Sequence, residues 1–192
     1  MADAARQKYS FEEYIRLEDL SPRVKHEFLR GEVWAMAGGS PDHAAVAANL
    51  SASLHTQLRG QRRVFSSDLR IRVLATGLGT YPDVAVVCDE LELDPEDPKG
   101  HTVTNPRVIV EVLSPSTEEY DRGEKLDHYK RIEALEEVVF VSHDERLVEI
   151  VRRNGDAWIR QEARDGVARL TSIPCELHLD EVYRDPLADE GA

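Results

Sequence analysis

Cysteine is scarce in this sequence: its 192 residues hold two, Cys88 and Cys175. They stand far apart and form neither a CxxC pair nor a disulfide framework, so both are expected to be reduced core or surface thiols. Long apolar runs are missing too. No segment approaches the roughly 18 apolar residues that a membrane span requires, and Met1-Ala2-Asp3-Ala4-Ala5-Arg6 lacks the apolar stretch of a signal peptide. A cytoplasmic protein is predicted. Positive charge is in short supply, with 24 Lys and Arg against 37 Asp and Glu and a formal net charge of -13. Non-specific coating of nucleic acid rests on phosphate neutralisation, so this balance argues against a coat protein while leaving room for a local basic groove. Repeats, low-complexity linkers and composition breaks are also lacking, and 41% hydrophobic residues suffice for one core. One domain over 1–192 is predicted, with its core at about 9–183, an acidic surface loop at about 89–106 and a frayed tail at about 185–192.

What is present is first a set of local signals. Ser10 and Glu13 have capping-box spacing ahead of Tyr14, Ile15 and Leu17, predicting a short helix over 10–18 that Ser21-Pro22 ends. Arg30-Gly31 reads as a turn between two short strands, with Glu27 just before it. Ser40 and Pro41 look like an N-cap and first helical position, and Val46, Leu50, Leu54 and Leu58 recur every four residues, predicting an amphipathic helix over 40–59. His43 continues a neighbouring row of that helix and points inward or toward a cleft edge. From Val64 to Val73, Leu69, Ile71 and Val73 alternate with Asp68, Arg70 and Arg72, the pattern of one half-exposed strand. Gly77, Gly79 and Thr80 then read as a turn. A helix is predicted over 118–134, a buried strand over 138–141, and a hairpin across Asn154-Gly155. Leu177, Leu179, Val182 and Tyr183 complete the core.

The chemistry concentrates in two apolar runs, Tyr81 to Val87 and Arg107 to Leu113. Each reads as a strand buried on both faces, and each carries one acid, Asp83 or Glu111. An ionised carboxylate buried without a partner is unfavourable by several kcal/mol or more, so it must find a cation, protonate or sit at a wet strand end. If the two strands pair with these faces coincident, the acids converge. Together with Lys125 they can hold a hard divalent cation and a water beside a phosphodiester, two acids and a backbone carbonyl being enough for magnesium. Lys125 would orient the nucleophile or stabilise charge on the phosphate. Structural readings stand beside these. Asp83 could accept hydrogen bonds from a neighbouring turn, Lys125 could spend itself on an i,i+4 pair with Asp121, and His43 could be a core or capping histidine.

A resemblance joins these residues. Pro82-Asp83, Glu111-Val112-Leu113-Ser114-Pro115-Ser116-Thr117, Asp121-Arg122-Gly123-Glu124-Lys125-Leu126 and Tyr129 resemble the Uma2 family (DUF820) of endonucleases, a branch of the PD-(D/E)XK superfamily. His26-Glu27-Phe28-Leu29-Arg30-Gly31-Glu32 and Met36-Ala37-Gly38 with His43 extend the likeness to nearly the whole chain. The resemblance implies a restriction-endonuclease-like α/β fold, a central mixed sheet flanked by helices, and Mg2+- or Mn2+-dependent phosphodiester hydrolysis. Asp83 and Glu111 would be the metal ligands. The superfamily's lysine stands two residues after the second acid, where this chain has Leu113, and Lys125 is the substitute from the following helix. Glu27, His43 and Tyr129 are the accessory candidates. DNA is the expected substrate, with Arg59, Arg62 and Arg63 as candidate nucleic-acid contacts and Arg152, Arg153, Arg160 and Arg164 on the later hairpin. Two-fold assembly would suit double-strand cleavage. The rival is a non-catalytic nuclease-fold protein serving as a binding or assembly module, favoured by the net charge and by Leu113.

Overall fold

The computed structural model describes residues 8–185; the expected leader-free N-terminus and most of the acidic tail lie outside them. In chain order the elements are α1 (Phe11–Leu20), β1 (His26–Leu29), β2 (Glu32–Ala35), α2 (Pro41–Leu58), β3 (Arg63–Ser66), β4 (Arg70–Val73), β5 (Leu78–Thr80) and β6 (Val84–Val87). There follow β7 (Thr102–Val103), β8 (Val108–Leu113), α3 (Glu118–Tyr120), a π-helical turn (Asp121–Lys125), α4 (Leu126–Tyr129) and β9 (Glu137–Ser142). The last elements are β10 (Val148–Asn154), β11 (Ala157–Ala163), β12 (Val167–Leu170), β13 (Cys175–His178) and α5 (Leu179–Val182). Among the described residues, no helix is long and apolar enough to cross a membrane.

The local signals act as their chemistry dictates. Ser10 accepts the Glu13 N–H at 3.2 Å while its own N–H donates to the Glu13 carboxylate at 2.6 Å, which satisfies two donors at the start of α1. Ser40 accepts the His43 N–H at 3.1 Å and opens α2, whose Val46, Leu50, Leu54 and Leu58 are buried. Arg30 and Gly31 both take positive φ, 52° and 90°, as the two-residue β1–β2 turn requires.

A six-stranded sheet in the order β11-β10-β9-β8-β6-β3 is antiparallel except between β8 and β9. Side chains alternate along β8, so it feeds two cores. Val108, Val110 and Val112 pack with the α2 row and with Leu177, Leu179 and Val182 from β13 and α5. Ile109 and Leu113 pack with Val138, Phe140, Leu126 and Tyr129, and with Ile71, Val73 and Leu78 of a second sheet. That second sheet, β2-β1-β5-β4-β7, closes the other face. The expected central mixed sheet is thus present, with α2 and α5 packed on one face and Leu126 and Tyr129 of α4 on the other.

Several expectations need correction. The predicted strand 64–73 is two strands in different sheets, and β4 is buried throughout. Arg70 and Arg72 looked solvent-facing because a charged residue in every second place normally is. Here Asp97 meets Arg70 at 3.0 Å, Asp94 lies 3.7 Å from Arg72, and the Arg72 guanidinium sits 3.5 Å from the Phe11 ring centre. Both acids belong to the segment read as a solvated excursion. They are buried, and β7 within that segment runs parallel to β4. Gly77 does turn the chain (φ 82°), but Gly79 and Thr80 lie in β5. The 118–134 helix is broken. Gly123 has φ -103° and ψ -105°, the π-helical turn separates α3 from α4, and the helix ends at Tyr129. In the later hairpin Asn154 pairs with Ala157, so Gly155-Asp156 is the two-residue loop. Cys88 and Cys175 are free thiols, half-buried and buried.

Candidate active site

The β6–β8 ladder pairs Val84 with Val110 and Ala85 with Ile109. Continuing that register by one residue sets Asp83 opposite Glu111, at the end of the sheet where α2 begins. Asp83 is anchored there by the Val112 N–H, which donates to its Oδ2 at 2.8 Å. His43, in the first turn of α2, brings its Nε2 to 3.5 Å from the same oxygen. Behind it the His143 ring lies 6.1 Å away, with Nδ1 2.5 Å from the Leu113 carbonyl.

Lys125 arrives from the π-helical turn. Its Nζ lies 2.9 Å from Glu111 Oε1, 3.2 Å from Glu27 Oε1 and 3.2 Å from Asp121 Oδ1. Tyr129, one turn further on, donates its hydroxyl to Glu111 at 2.6 Å. Glu27 also receives the Thr80 hydroxyl. The sequence-derived catalytic and accessory residues therefore converge: Asp83, Glu111, Lys125, Glu27, His43 and Tyr129. The space left beside them is a cavity of about 230 Å³. Its lining also includes Asp121, Trp34 and Tyr120, which were not singled out as site residues from the sequence. Asp121 entered only as a partner for Lys125. Trp34 and Tyr120 form an aromatic side, ring centres 6.5 Å apart and nearly perpendicular. Trp34 could have been found by counting back from the Arg30-Gly31 turn, which places it opposite Glu27.

The electrostatics are those of a crowded acidic pocket. Burial, reinforced by Asp121 and Asp83 and opposed by Lys125 and the Tyr129 hydroxyl, pushes the Glu111 carboxyl up to about 8. Burial acts to strip the proton from Lys125, but Glu111, Tyr129, Glu27 and Asp121 outweigh it and hold the ammonium well above the ordinary lysine range. The hydrogen bond to Asp83 raises His43 against the effect of burial. Burial, with Glu27 beside it, raises the Tyr120 hydroxyl far above the tyrosine range, so it stays a neutral donor.

Among the described residues, no three His, Cys, Asp or Glu side chains gather closely enough to enclose an ion on their own. Such a donor set suits magnesium or manganese better than a closed cage, because magnesium is commonly held by one or two carboxylates and completed by waters and substrate phosphate. The acid balance agrees: among the described residues lining the cavity, Glu27, Asp83, Glu111 and Asp121 face one ammonium, that of Lys125.

The arginine candidates are not brought to this site. Arg59 follows the last residue of α2, sixteen residues beyond His43 and thus about 24 Å along the axis. Arg63 pairs with Val87, at the end of β6 away from Asp83, and Arg62 shares a cleft with it there. The hairpin arginines are engaged internally, Arg152 with Glu137, Arg160 with Glu149, Arg164 with Glu145, and Arg153 with the Ile132 and Leu135 carbonyls.

An acid pair across two strands of a mixed sheet, with a lysine returned onto it from the next helix, defines a restriction-endonuclease-like α/β protein. The fold is shared with the crystal structure of a putative nuclease belonging to DUF820 from Anabaena variabilis, at TM-score 0.72 and 15% identity, over 91% of this chain and 97% of that one. The Uma2 family, described as "Putative restriction endonuclease", matches residues 11–180. The chain belongs to that family. Two uncharacterized proteins of Synechocystis sp. are similar to it. One is 37% identical over 182 residues, 92% of each chain; the other is 33% identical over 152 residues, 78% of this chain and 84% of its own.

Proposed function

We propose that this protein is a Mg2+- or Mn2+-dependent endonuclease that hydrolyses phosphodiester bonds of nucleic acid, DNA foremost. The observation that carries the reading is Asp83 opposite Glu111 at an open sheet end, with the Lys125 ammonium 2.9 Å from Glu111. Asp83 and Glu111 are the residues that would hold the metal. When bound, the cation supplies positive charge to a phosphoryl oxygen and acidifies an attacking water. The protein's own groups do the rest. Lys125 keeps its proton, so it acts as a fixed positive charge for the phosphate and not as a base. Glu27 and Asp121 hold that ammonium in place, and Tyr129 orients Glu111. His43 supports Asp83 from the α2 side.

The rival, a non-catalytic binding or assembly module, draws on the net charge of -13 and on Leu113 at the position where the superfamily keeps its lysine. A cleavage assay with Mg2+ and Mn2+ on single-stranded and duplex DNA decides between them. Cleavage that Asp83→Asn and Glu111→Gln abolish establishes the nuclease. No cleavage by well-folded wild type, together with no calorimetric manganese binding, establishes the module. Sedimentation of the same samples tests the proposed two-fold assembly.

A further inference from the structure

The cavity beside the acids has a wall that hydrolysis alone leaves unused. Trp34, Met36 and Tyr120 line it, and all three are only partly buried. Trp34 sits on the edge strand β2 directly across from Glu27, and its ring meets Tyr120 at 79°. Among the described residues the buried Tyr120 hydroxyl has Glu27 beside it but no partner in hydrogen-bond geometry, an arrangement that is unfavourable unless something else completes it. An edge-to-face pair of large, half-exposed rings with a hydroxyl left over, next to a set of carboxylates, leaves ring surface that the fold itself does not cover. It is suitable for receiving a flat ring with polar edges.

Charge narrows the choice of ligand. Among the described residues, Lys125 is the single Lys or Arg lining the cavity, and three acids already surround its ammonium. Arg59, Arg62 and Arg63 are at the far end of α2 and β6. Affinity for duplex depends chiefly on neutralising phosphates with Lys and Arg, and this face offers little of that. Stacking on aromatic rings does not depend on phosphate neutralisation and tolerates any base. The volume of about 230 Å³ is below the roughly 300–1,000 Å³ of sites that take drug-sized ligands, so one base is the scale it admits.

We propose that Trp34, backed by Tyr120, stacks an unpaired nucleobase beside the Asp83–Glu111 pair, so that the site takes single-stranded or locally unpaired nucleic acid in preference to intact duplex. The fate of the strand rests on the nuclease reading, whereas the stacking does not require cleavage. The test uses the full chain with Glu111→Gln, so that binding is read without turnover. The chain has two tryptophans, and Trp158→Phe leaves Trp34 as the reporter. A short mixed-sequence single strand should quench Trp34 emission and bind more tightly than the same sequence as a blunt duplex. Trp34→Leu, which keeps an apolar side chain, should weaken single-strand binding by about 5- to 150-fold, the range of one lost base stack, and Trp34→Phe should restore most of it. Equal affinity for duplex, no binding of either form, or a Trp34→Leu protein of unchanged affinity would overturn the proposal. Stacking without any cleavage by the Glu111-containing protein would instead count against the nuclease reading alone.

Discussion

Lys125 Nζ lies 2.9 Å from Glu111 Oε1 although a broken helix separates the two residues along the chain. The break makes the contact. Gly123 departs from helical geometry, the turn that follows is π-helical, and Lys125 and Tyr129 both come to face β8. Arg122 fastens the same turn to β10 by reaching Glu149 at 2.8 Å.

On the proposed mechanism, in which the lysine faces the phosphate and does not ligate the metal, Lys125→Ala should lower turnover sharply while leaving manganese binding nearly intact. It should also destabilise the fold by about 3–5 kcal/mol, the usual effect of removing one member of a buried ion pair. Kinetics and denaturant melts on the same protein read both effects. Unchanged turnover in a destabilised protein would make Lys125 a structural residue only.

The Glu111 carboxyl predicts a pH signature. Its folded value of about 8 lies above the ordinary 4.5, so between those values the folded state binds a proton that the unfolded chain releases. Stability of the metal-free protein from this group is therefore fully present below about pH 4.5 and is lost as pH rises toward 8, by an amount on the order of a few kcal/mol. Glu111→Gln should flatten that loss. A metal held by Glu111, as proposed, would displace the same proton, so manganese affinity should rise with pH up to about 8 in the wild type. Calorimetry across that range tests the second point, and a flat profile would remove Glu111 from the ligand set.

A second buried network predicts the opposite slope. Asp97 accepts from the Thr102 hydroxyl at 2.6 Å and from Arg70 at 3.0 Å, and it ties the 89–106 segment to β4. Burial works to raise its carboxyl, but Thr102, Arg70 and the Lys99 N–H together hold it below the usual 3.8. Its contribution is present above that value and is lost as pH falls through the folded one. Asp97→Asn should destabilise the protein at neutral pH and shrink the acid-induced loss. Asp89→Asn, on the exposed part of the segment, should change neither.

These two networks mark where sequence reading succeeds and where it stops. Asp83 and Glu111 were legible because a carboxylate inside a β-branched run contradicts its surroundings, and such a contradiction calls for a partner. The Ser10 capping box, the Ser40 N-cap and the Arg30-Gly31 turn were legible because their chemistry is local. Arg70 and Arg72 were not, because alternation reports which way side chains point and not what waits on the other side. Their partners, Asp94 and Asp97, come from a segment whose proline and acid content imitates a solvated loop. The helix break at Gly123 was missed for a related reason: Leu126, Tyr129 and Ile132 keep helical spacing, and their burial survives the break.

Gly39 gives a test of the site that removes none of its titratable side chains. A Cβ there would meet His43 Nδ1 at 2.6 Å and Cγ at 2.9 Å, closer than nonbonded atoms can approach, so Gly39→Ala must displace the imidazole. The residue lies in the exposed stretch between β2 and α2, which keeps the effect on stability within about 1 kcal/mol. The Gly38→Ala control, whose Cβ meets nothing within 4 Å, should behave as wild type. If His43 supports Asp83, Gly39→Ala should reduce turnover and bring the His43 proton titration, followed by NMR, down from its raised position toward the ordinary 6.5. A Gly39→Ala protein with wild-type turnover and a lowered His43 titration would show that the histidine is bound to Asp83 without contributing to the reaction.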